Sequence, residues 1–272
     1  SSVTPSADVS GNTVTFNIQF ADLSSNAGDA VSNTTNSSSV LYDNTPPILT
    51  VNDATNYFKS NNSSSTEFAR AGDVITLTYT SNKTLMDVAV VMEGITAVTT
   101  NSVNFWTSQI TVPGTIDENA GLVNFTIEYY DQAGNAGTVV KETDYPAYPV
   151  TIDVKAPSPP SKPDLLTDDG TPDDNITKVA VSTFTGTAEK DALIKLYSNN
   201  YTDLIGFDLA DTDTVVAGTY NWTIESNIAL SDGDHIITAT ATDGAGNVSA
   251  VSASQTITID TEKPAEAGTP DM

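Results

Sequence analysis

In three stretches of the chain, residues that we expect to face inward alternate with mostly polar residues. This two-residue period is the period of a strand that buries one face. The inward positions are Val14, Phe16, Ile18 and Phe20, then Val123, Phe125, Ile127 and Tyr129, and then His235, Ile237, Ala239 and Ala241. The pattern predicts three strands. It places Phe125, Ile127, Tyr129, Ile237 and Ala239 in the cores of folded domains.

Each of these strands is followed by the same kind of loop and the same kind of exit. Asp, Gly and Asn recur in the loops at residues 21–28, 129–137 and 241–249, and Gly and Asn tolerate the positive φ that a tight reversal needs. A second predicted strand then ends in an aspartate (Asp43, Asp153 or Asp260) and soon reaches a proline. One hairpin and one exit, used three times, form an internal repeat.

The spacing of the repeat indicates the fold. Pro47, Pro157 and Pro264 follow the three exits at nearly equal intervals, and a unit of about 100 residues with short strands is typical of an immunoglobulin-like sandwich. No amphipathic helical stretch of useful length is present. We therefore predict an all-β fold of tandem immunoglobulin-like β-sandwiches.

The repeat divides the chain into four segments. Residues 46–155 and 156–263 are predicted to be complete Ig-like domains. We expect residues 1–45 to be the C-terminal part of another repeat, unable to fold alone without an opposing sheet, and residues 264–272 to be the start of a further one. Further strands are predicted at residues 48–51, 74–80, 87–92, 106–112, 122–130, 149–153, 178–188, 192–198, 220–225 and 235–242.

The charge of the chain limits its partners. It has 35 acidic and 10 basic residues, a net charge of −25, which argues against nucleic acid and against anionic membrane surfaces, since both attract Lys and Arg. The acidic residues either keep the protein soluble by mutual repulsion or serve as ligands for cations. There is no cysteine, which fits a prokaryotic surface protein whose domains are large enough to fold without disulfides.

The sequence does not indicate catalysis, and we predict that the protein is not an enzyme. Its one histidine, His235, lies at the start of a predicted strand, and no second His or Cys is present for a zinc site or a catalytic pair. We interpret His235 as a partly buried strand residue. Trp106 and Trp222 are interpreted as core residues.

The motifs of the loops and exits resemble those of bacterial immunoglobulin-like repeats. The resemblance rests on Asp-x-Ala-Gly-Asn followed by Ile-Asp-x-x-x-Pro, on Phe184 to Glu189, and on Asp234 to Asp243. The ending from Ser39 to Pro47 is similar to that of a sister type found in prokaryotic surface-layer proteins. Bacterial repeats of the first kind build the long stalks of giant secreted adhesins, so the resemblance implies a non-catalytic extender at the cell surface.

The same resemblance implies calcium near the junctions between successive domains. The matching acidic residues are Asp131 and Asp243 of the hairpin loops, Asp153 and Asp260 of the exits, and Asp168, Asp169, Asp173 and Asp174 of an acidic loop. We expect Asp131 and Asp153 at one end of their domain and the acidic loop in the same neighbourhood. Alternatively, Asp131 and Asp243 cap their own turns, and the acidic loop is solvated.

Three functions fit these features, and all three place the protein outside the cell. The first is an adhesin extender that calcium stiffens, with the neighbouring repeats of the chain as partners. The second is an assembly subunit of a surface layer or extracellular filament, with other copies of the chain as partners. The third is a glycan-binding module. None of them involves nucleic acid or a membrane.

Overall fold

The computed structural model describes residues 12–13, 16–32, 41–51, 57–116, 121–145, 150–169, 171, 173–199, 202–213 and 218–264. Their regular secondary structure consists of β-strands apart from one 3-10 helix, Glu142–Asp144. This confirms the predicted all-β fold class. In this part of the chain no helix has the length and apolar character needed to span a membrane.

The strands of the described residues are mostly short. In chain order they are β1 (Asn12–Thr13), β2 (Leu41–Tyr42), β3 (Leu49–Val51), β4 (Phe58–Ser60), β5 (Phe68–Ala69), β6 (Val74–Ser81), β7 (Leu85–Met92), β8 (Ile95–Thr96), β9 (Val98–Ser102), β10 (Phe105–Thr111), β11 (Gly121–Leu122), β12 (Phe125–Asp131), β13 (Val140–Lys141), β14 (Thr151–Ile152), β15 (Asp164–Leu165), β16 (Ile176–Thr177), β17 (Thr183–Ala188), β18 (Leu193–Ser198), β19 (Asp203–Leu209), β20 (Thr212–Asp213), β21 (Tyr220–Glu225), β22 (Gly233–Thr242) and β23 (Gln255–Ile259).

The chain forms two compact units. The first comprises Ser1–Ser60, Val74–Thr111 and Leu122–Val150, and the second comprises Asn61–Asp73, Val112–Gly121 and Thr151–Met272. Three segments of the predicted domain 46–155, namely 61–73, 112–121 and 151–155, are thus grouped with the predicted domain 156–263. The domain boundaries drawn from the repeat stay a prediction.

The first unit contains a β-sandwich. One sheet has the order β3-β6-β10-β9, with β4 also paired to β6, and the other has the order β13-β12-β7-β8. The inward residues of β12 are Phe125, Ile127 and Tyr129, none more than 3% exposed. The ring of Phe58 on β4 packs against that of Phe125 with 5.3 Å between the ring centres, so β12 closes the core against the opposite sheet. The predicted burial of the three β12 residues is confirmed.

The second unit contains a second β-sandwich. Its sheets have the orders β15-β17-β21-β20 and β16-β23-β22-β18-β19, which is the strand arrangement of an immunoglobulin-like domain. Phe184 and Trp222 from one sheet meet Ile194, Ile237 and Ala239 from the other, and each is at most 1% exposed. The predicted core positions in this sandwich are confirmed, as is the interpretation of Trp222. Trp106, in the first unit, is also buried.

The hairpin near the start of the chain has a different environment. Ile18 and Val31 exchange two backbone hydrogen bonds, of 2.9 and 3.0 Å, while Phe16, Ile18 and Phe20 are between 37% and 57% exposed. The apolar face of this hairpin is therefore open to solvent. Val14, which belongs to the same predicted strand, and residues 265–272 lie outside the described residues.

Candidate functional site

The three repeated loops fold in the same way. In each, the backbone N–H of the aspartate donates to the carbonyl of the asparagine four residues later, and the asparagine side chain donates back to the carboxylate. The backbone bonds are Asp22 to Asn26 at 3.0 Å, Asp131 to Asn135 at 3.1 Å and Asp243 to Asn247 at 3.1 Å, and the returning bonds measure 2.8, 3.0 and 3.0 Å. The residue before the asparagine has a positive φ in every copy, and glycine holds this position in the second and third. Each aspartate therefore caps its own turn.

The second loop is part of what we call the first hairpin site: Asp43, Lys83, Asp131 and Asn135. The Lys83 ammonium nitrogen lies 2.8 Å from each carboxylate oxygen of Asp43 and 3.2 Å from Oδ2 of Asp131. It also donates to the backbone carbonyl of Thr45. The Asn135 side chain donates to the backbone carbonyl of Asp43 at 3.0 Å. One ammonium group thus joins two carboxylates and a carbonyl.

The first hairpin site stabilises the ionised forms of Asp131 and Lys83. Burial acts to raise the pKa of Asp131, which is 2% exposed, but hydrogen bonds from Asn135, Lys83 and Ala133 outweigh burial and hold the pKa below its usual range. The hydrogen bond to Asp43 raises the pKa of Lys83 above its ordinary value, against an opposing effect of burial. At neutral pH the site therefore carries two carboxylates and one ammonium ion.

The third loop is part of the second hairpin site: Asp153, Glu189, Asp243 and Asn247, all within the second unit. The Asn247 side chain donates to the backbone carbonyl of Asp153 at 2.9 Å, which repeats the bond from Asn135 to Asp43. Lys155 N–H donates to Oδ1 of Asp153 at 3.1 Å. The exit aspartate is again held by the hairpin of the repeat that follows it.

The lysine that matches Lys83 by position does not enter the second hairpin site. Lys83 and Lys190 each stand two residues after the end of a strand, β6 and β17 respectively. The Lys190 ammonium lies 3.9 Å from the carboxylate of Asp191 and 5.9 Å from the ring centre of Tyr220, and its side chain is 62% exposed. Its neighbour Glu189 contributes a third carboxylate to the site instead.

The carboxylates of the second hairpin site surround an open cavity of about 450 Å³. Asp153, Glu189 and Asp243 line it together with Lys155. Burial raises the pKa of Asp153, with smaller additions from the charges of Asp243 and Glu189, and the Lys155 N–H and charge oppose the rise. The ionised form of Asp153 is therefore disfavoured in the folded protein, and a bound cation would relieve that cost.

Residues of an earlier segment hold the third loop from outside. The Asn62 side chain donates to the backbone carbonyl of Ala245 at 2.8 Å, and the Arg70 guanidinium donates to that of Gly246. Both segments belong to the second unit. The loop backbone is consequently fixed by Asn62, Arg70 and the Asp153 exit, all of which precede the sandwich that carries the loop.

The acidic loop satisfies most of its carboxylates locally. Asp169 forms an ion pair of 3.0 Å with Lys178, and hydrogen bonds from the side chain of Thr177 and from Lys178 lower the pKa of Asp169 to about 2. Asp174 accepts the N–H of Ile176 at 2.9 Å. Asp168 accepts the Asn175 N–H through Oδ2 at 3.4 Å, whereas its Oδ1 is buried and has no hydrogen-bond partner in the part of the chain that the structure describes. Asp173 is exposed and has a φ of 65°.

The position of the acidic loop differs from the expected one. The carbonyl of Asn175 accepts the N–H of Thr258, and the carbonyl of Thr177 accepts that of Asp260, both at 2.9 Å. Because Ile259 pairs with Gly233, the loop and Asp260 lie at the start of β22, whereas Asp243 follows its end. A ten-residue strand spans about 30 Å. The expectation that the acidic loop lies near Asp153 is therefore wrong.

The exit aspartates also pair differently from the expectation. Asp131 shares its site with Asp43, and Asp153 shares its site with Asp243. From the strand count we expected instead that Asp131 and Asp153 lie together at one end of their domain. Each exit residue is bound by the hairpin of the repeat after it, and this pairing depends on how consecutive repeats meet.

His235 has a structural role. Its Nε2 lies 2.8 Å from the carbonyl of Ser231, and its Nδ1 lies 3.1 Å from the hydroxyl of Ser198. A carbonyl only accepts, so Nε2 carries the proton and Nδ1 accepts from Ser198. Both side chains are buried. The interpretation of His235 as a buried strand residue is confirmed.

A cation could be held at two places. Within the described residues, no three His, Cys, Asp or Glu side chains converge closely enough to hold a metal ion by themselves, so calcium would also need carbonyls and water. The second hairpin site offers three carboxylates on one cavity, and the acidic loop offers the unpartnered oxygen of Asp168. Sequence reasoning missed Asp43, Lys83 and Glu189. The repeated exit motif did contain the signal for Asp43, whose place matches Asp153 and Asp260.

Comparison with known families identifies one of the sandwiches. Residues 156–261 match the family described as a bacterial Ig-like domain. This segment is a bacterial Ig-like domain. The comparisons found no enzyme family, and a comparison with curated proteins found no match.

Solved structures with tandem domains align with the chain. Domains A168–A170 of titin share 9% identity, with 94% of this chain and 85% of that chain covered and a TM-score of 0.42. A tetra-tandem repeat from the extending region of a large adhesion protein shares 18% identity, with 94% and 58% covered and a TM-score of 0.33. Fibronectin(III)-like modules of Clostridium thermocellum CbhA share 16% identity, with 81% and 100% covered and a TM-score of 0.36.

Proposed function

We propose that the protein is an extender segment of a bacterial cell-surface adhesin, with tandem Ig-like sandwiches that hold an adhesive part away from the cell. The observation that carries the proposal is the binding of the third loop by residues that precede its sandwich: Asn62, Arg70 and the carbonyl of Asp153. The bond from Asn135 to Asp43 repeats one of these contacts. An extender requires fixed connections of this kind, because a flexible linker would let the chain collapse.

The bacterial Ig-like family of residues 156–261 supports a location at the cell surface. The extending region of a large adhesion protein, which aligns along 94% of this chain, is a tandem array of the same general kind. The neighbouring repeats of the chain are the partners in this proposal.

Calcium at the second hairpin site is the finer part of the proposal. Three carboxylates, of Asp153, Glu189 and Asp243, line one cavity, and calcium prefers such oxygen ligands. The charge of Lys155 is also near and would lower the affinity. The acidic loop is a second position, supported by Oδ1 of Asp168. Asp131 is not included because Lys83 already neutralises it.

Calcium-dependent melting tests the second hairpin site. The two tryptophans, Trp106 and Trp222, lie in different units, so a Trp106→Phe background reports the second unit through Trp222 alone. Extracellular sites commonly bind calcium at about 10⁻⁴–10⁻³ M. At a hundredfold excess over Kd, the free energy of unfolding of this unit should rise by about 2.7 kcal/mol. Glu189→Gln and Asp153→Asn should each reduce the rise, because each removes a charged ligand.

The control is Asp208→Asn, which removes an exposed carboxylate on β19 away from the cavity and should keep the full response. Small-angle scattering of the whole chain should show a larger maximum dimension with calcium than with chelator. Identical melting midpoints and dimensions under both conditions would contradict the calcium proposal and leave these aspartates as surface charge.

One observation favours the assembly alternative. The edge strand β19 exposes Leu204, Phe207 and Leu209 at 45%, 65% and 46%, and an apolar sheet edge can pair with another copy. In that case sedimentation would depend on protein concentration in the micromolar range. The glycan alternative is weakened because Trp106 and Trp222 are both buried.

A further inference from the structure

We infer that Lys83 is the resident cation of the first hairpin site and makes this site independent of calcium. The inference concerns the first unit and stands whether or not calcium binds in the second. It starts from the geometry of the Lys83 ammonium, whose donors reach both oxygens of Asp43, Oδ2 of Asp131 and the carbonyl of Thr45. Four oxygen atoms thus lie within hydrogen-bonding distance of one ammonium group.

The contacts of Lys83 differ from those of an ordinary surface ion pair. Such pairs contribute little because both partners are solvated. Here Asp131 has only 2% of its side chain exposed, and Lys83 and Asp43 are 25% and 30% exposed. A buried carboxylate whose cation is removed carries an uncompensated charge. The Lys83 ammonium is therefore required as long as Asp131 stays ionised.

The two hairpin sites differ in whether the lysine that follows the strand contacts the carboxylates. In both, an asparagine of the loop binds the carbonyl of the exit aspartate. In the first, the position two residues after the strand supplies Lys83 to the site. In the second, the matching Lys190 points to Asp191 and Tyr220. One chain thus combines a site whose lysine contacts both carboxylates with a site whose three carboxylates line an open cavity together with Lys155.

The consequence is a difference between two successive junctions of the same array. A site closed by a covalently attached ammonium keeps its cation at any calcium concentration, because the ligand is at a fixed high local concentration. The first hairpin site should therefore keep its geometry in the presence of a chelator.

The test uses a Trp222→Phe background, in which Trp106 alone reports the first unit. The indole N–H of Trp222 is buried and has no partner among the described residues, so phenylalanine removes a donor that none of them binds. With the Lys83 site intact, the melting midpoint of this unit should be the same in millimolar calcium and in chelator. Lys83→Met keeps a long apolar side chain but removes the charge, and should lower the midpoint in chelator by about 5 °C or more.

The matched control is Lys190→Met, read through Trp222 in a Trp106→Phe background. This change removes an exposed ammonium at the equivalent position and should leave the midpoint of the second unit unchanged within about 2 °C. An equal midpoint for Lys83→Met and the parent would overturn the inference. A calcium-dependent rise of the Trp106 midpoint with Lys83 in place would overturn it too.

A second variant keeps the inference testable if Lys83→Met fails to fold. Asp43→Asn removes one partner of the ammonium at the partly exposed side of the site and leaves the buried Asp131 paired. If Lys83 is the resident cation, Asp43→Asn should lower the urea midpoint of the first unit, because the ammonium loses a charged partner. Where Lys83→Met does fold, the double variant with Asp43→Asn completes a cycle in which the midpoint losses of the single variants do not add. An Asp43→Asn variant with the parent's midpoint, or additive losses in the cycle, would overturn the inference.

Discussion

At the scale of single residues, two of the repeated loops pack an aromatic ring against a glycine that leaves room for it. In each copy the residue six positions after the aspartate donates its N–H to the residue two positions before the aspartate: Gly28 to Phe20, Gly137 to Tyr129 and Ser249 to Ala241. A Cβ on Gly137 would lie 2.0 Å from the Tyr129 ring, and one on Gly28 would lie 2.1 Å from the Phe20 ring. In the third copy the ring is replaced by the methyl group of Ala241, and the glycine is replaced by serine. Glycine is therefore present in the two copies that have the ring and is absent from the copy that lacks it.

Gly137→Ala should destabilise the first unit by about 1–3 kcal/mol, because the Tyr129 ring is fixed in the core and cannot move away without strain. The measurement is urea unfolding followed by Trp106 fluorescence. Gly114→Ala, which lies in the second unit and is read through Trp222, is the control, since a Cβ there meets nothing within 4 Å, and it should change the stability of that unit by less than about 0.5 kcal/mol. If Gly137→Ala lost no more stability than the control, the Tyr129 ring would be able to move aside without strain, contrary to this prediction.

At the scale of elements, β12 is the strand that links the core of the first unit to its hairpin site. Its residues alternate between core and surface along its whole length, and the last residue, Asp131, is also buried. A shift in pairing with β7 occurs between Tyr130 and Asp131. The extra residue is Met86 of β7, so β12 keeps its own alternation up to Asp131, whose carboxylate contacts Lys83. The core and the site are therefore held by one element.

Phe125→Ala should lower the stability of the first unit by about 3–5 kcal/mol, because it leaves a cavity next to Phe58. Unfolding followed in the two single-tryptophan backgrounds should show the loss through Trp106 and little change through Trp222. Phe207→Ala, on a side chain that is 65% exposed, is the control and should have a small effect. An unchanged Trp106 transition would place Phe125 outside the cooperative core.

Edge strands are the elements that the sequence pattern does not predict. Strand β9 has no buried residue, and β19 combines exposed Leu204, Phe207 and Leu209 with Gly206 in the middle. The pairing of β19 with the neighbouring β18 shifts between Leu196 and Tyr197, where Ile205 is an extra residue in β19. Neither strand therefore shows the two-residue alternation of apolar and polar positions that predicts β12 and β22.

At the scale of the whole molecule, the net charge is −25, and the two hairpin sites shift the pKa of their aspartates in opposite directions. In the first unit, the pKa of Asp131 is lowered by its hydrogen bonds, which outweigh burial. In the second unit, the pKa of Asp153 is raised by burial and by the nearby charges of Asp243 and Glu189. Ionisation of the first residue stabilises the fold, and ionisation of the second opposes it.

The two units should therefore respond to pH with opposite signs when these residues are changed. In chelator, the parent should exceed Asp131→Asn in stability by about 1–3 kcal/mol above the ordinary pKa of 3.8. That advantage should disappear as the pH falls through the lowered pKa. Asp153→Asn should instead be more stable than the parent near neutral pH, and its advantage should be lost as the pH falls through the raised pKa toward 3.8.

The measurement is unfolding at a series of pH values, with each unit read through its own tryptophan. Differences between parent and variant remove the contribution of the other carboxylates, which titrate in both proteins. If Asp131→Asn and Asp153→Asn changed stability in the same direction at neutral pH, the two sites would not differ in the way described.

The sequence by itself determined the all-β class, the repeated hairpins and the inward positions of β12 and β22. These features depend on the period of side-chain alternation and on the conformations open to Gly and Asn, and both are local properties of the chain. The same local chemistry supplied the alternative that Asp131 and Asp243 cap their own turns, which the structure shows, because the partner asparagine lies only four residues away.

Only the tertiary structure decided which carboxylates meet and which cation joins them. Lys83 contacts Asp43 and Asp131, which lie 40 and 48 positions away in the sequence. Lys190, at the equivalent place, contacts Asp191 and Tyr220 instead. Strand direction likewise placed the acidic loop at the end of β22 opposite Asp243. Such pairings depend on which strand ends the folded chain brings together, and no local pattern of residues specifies them.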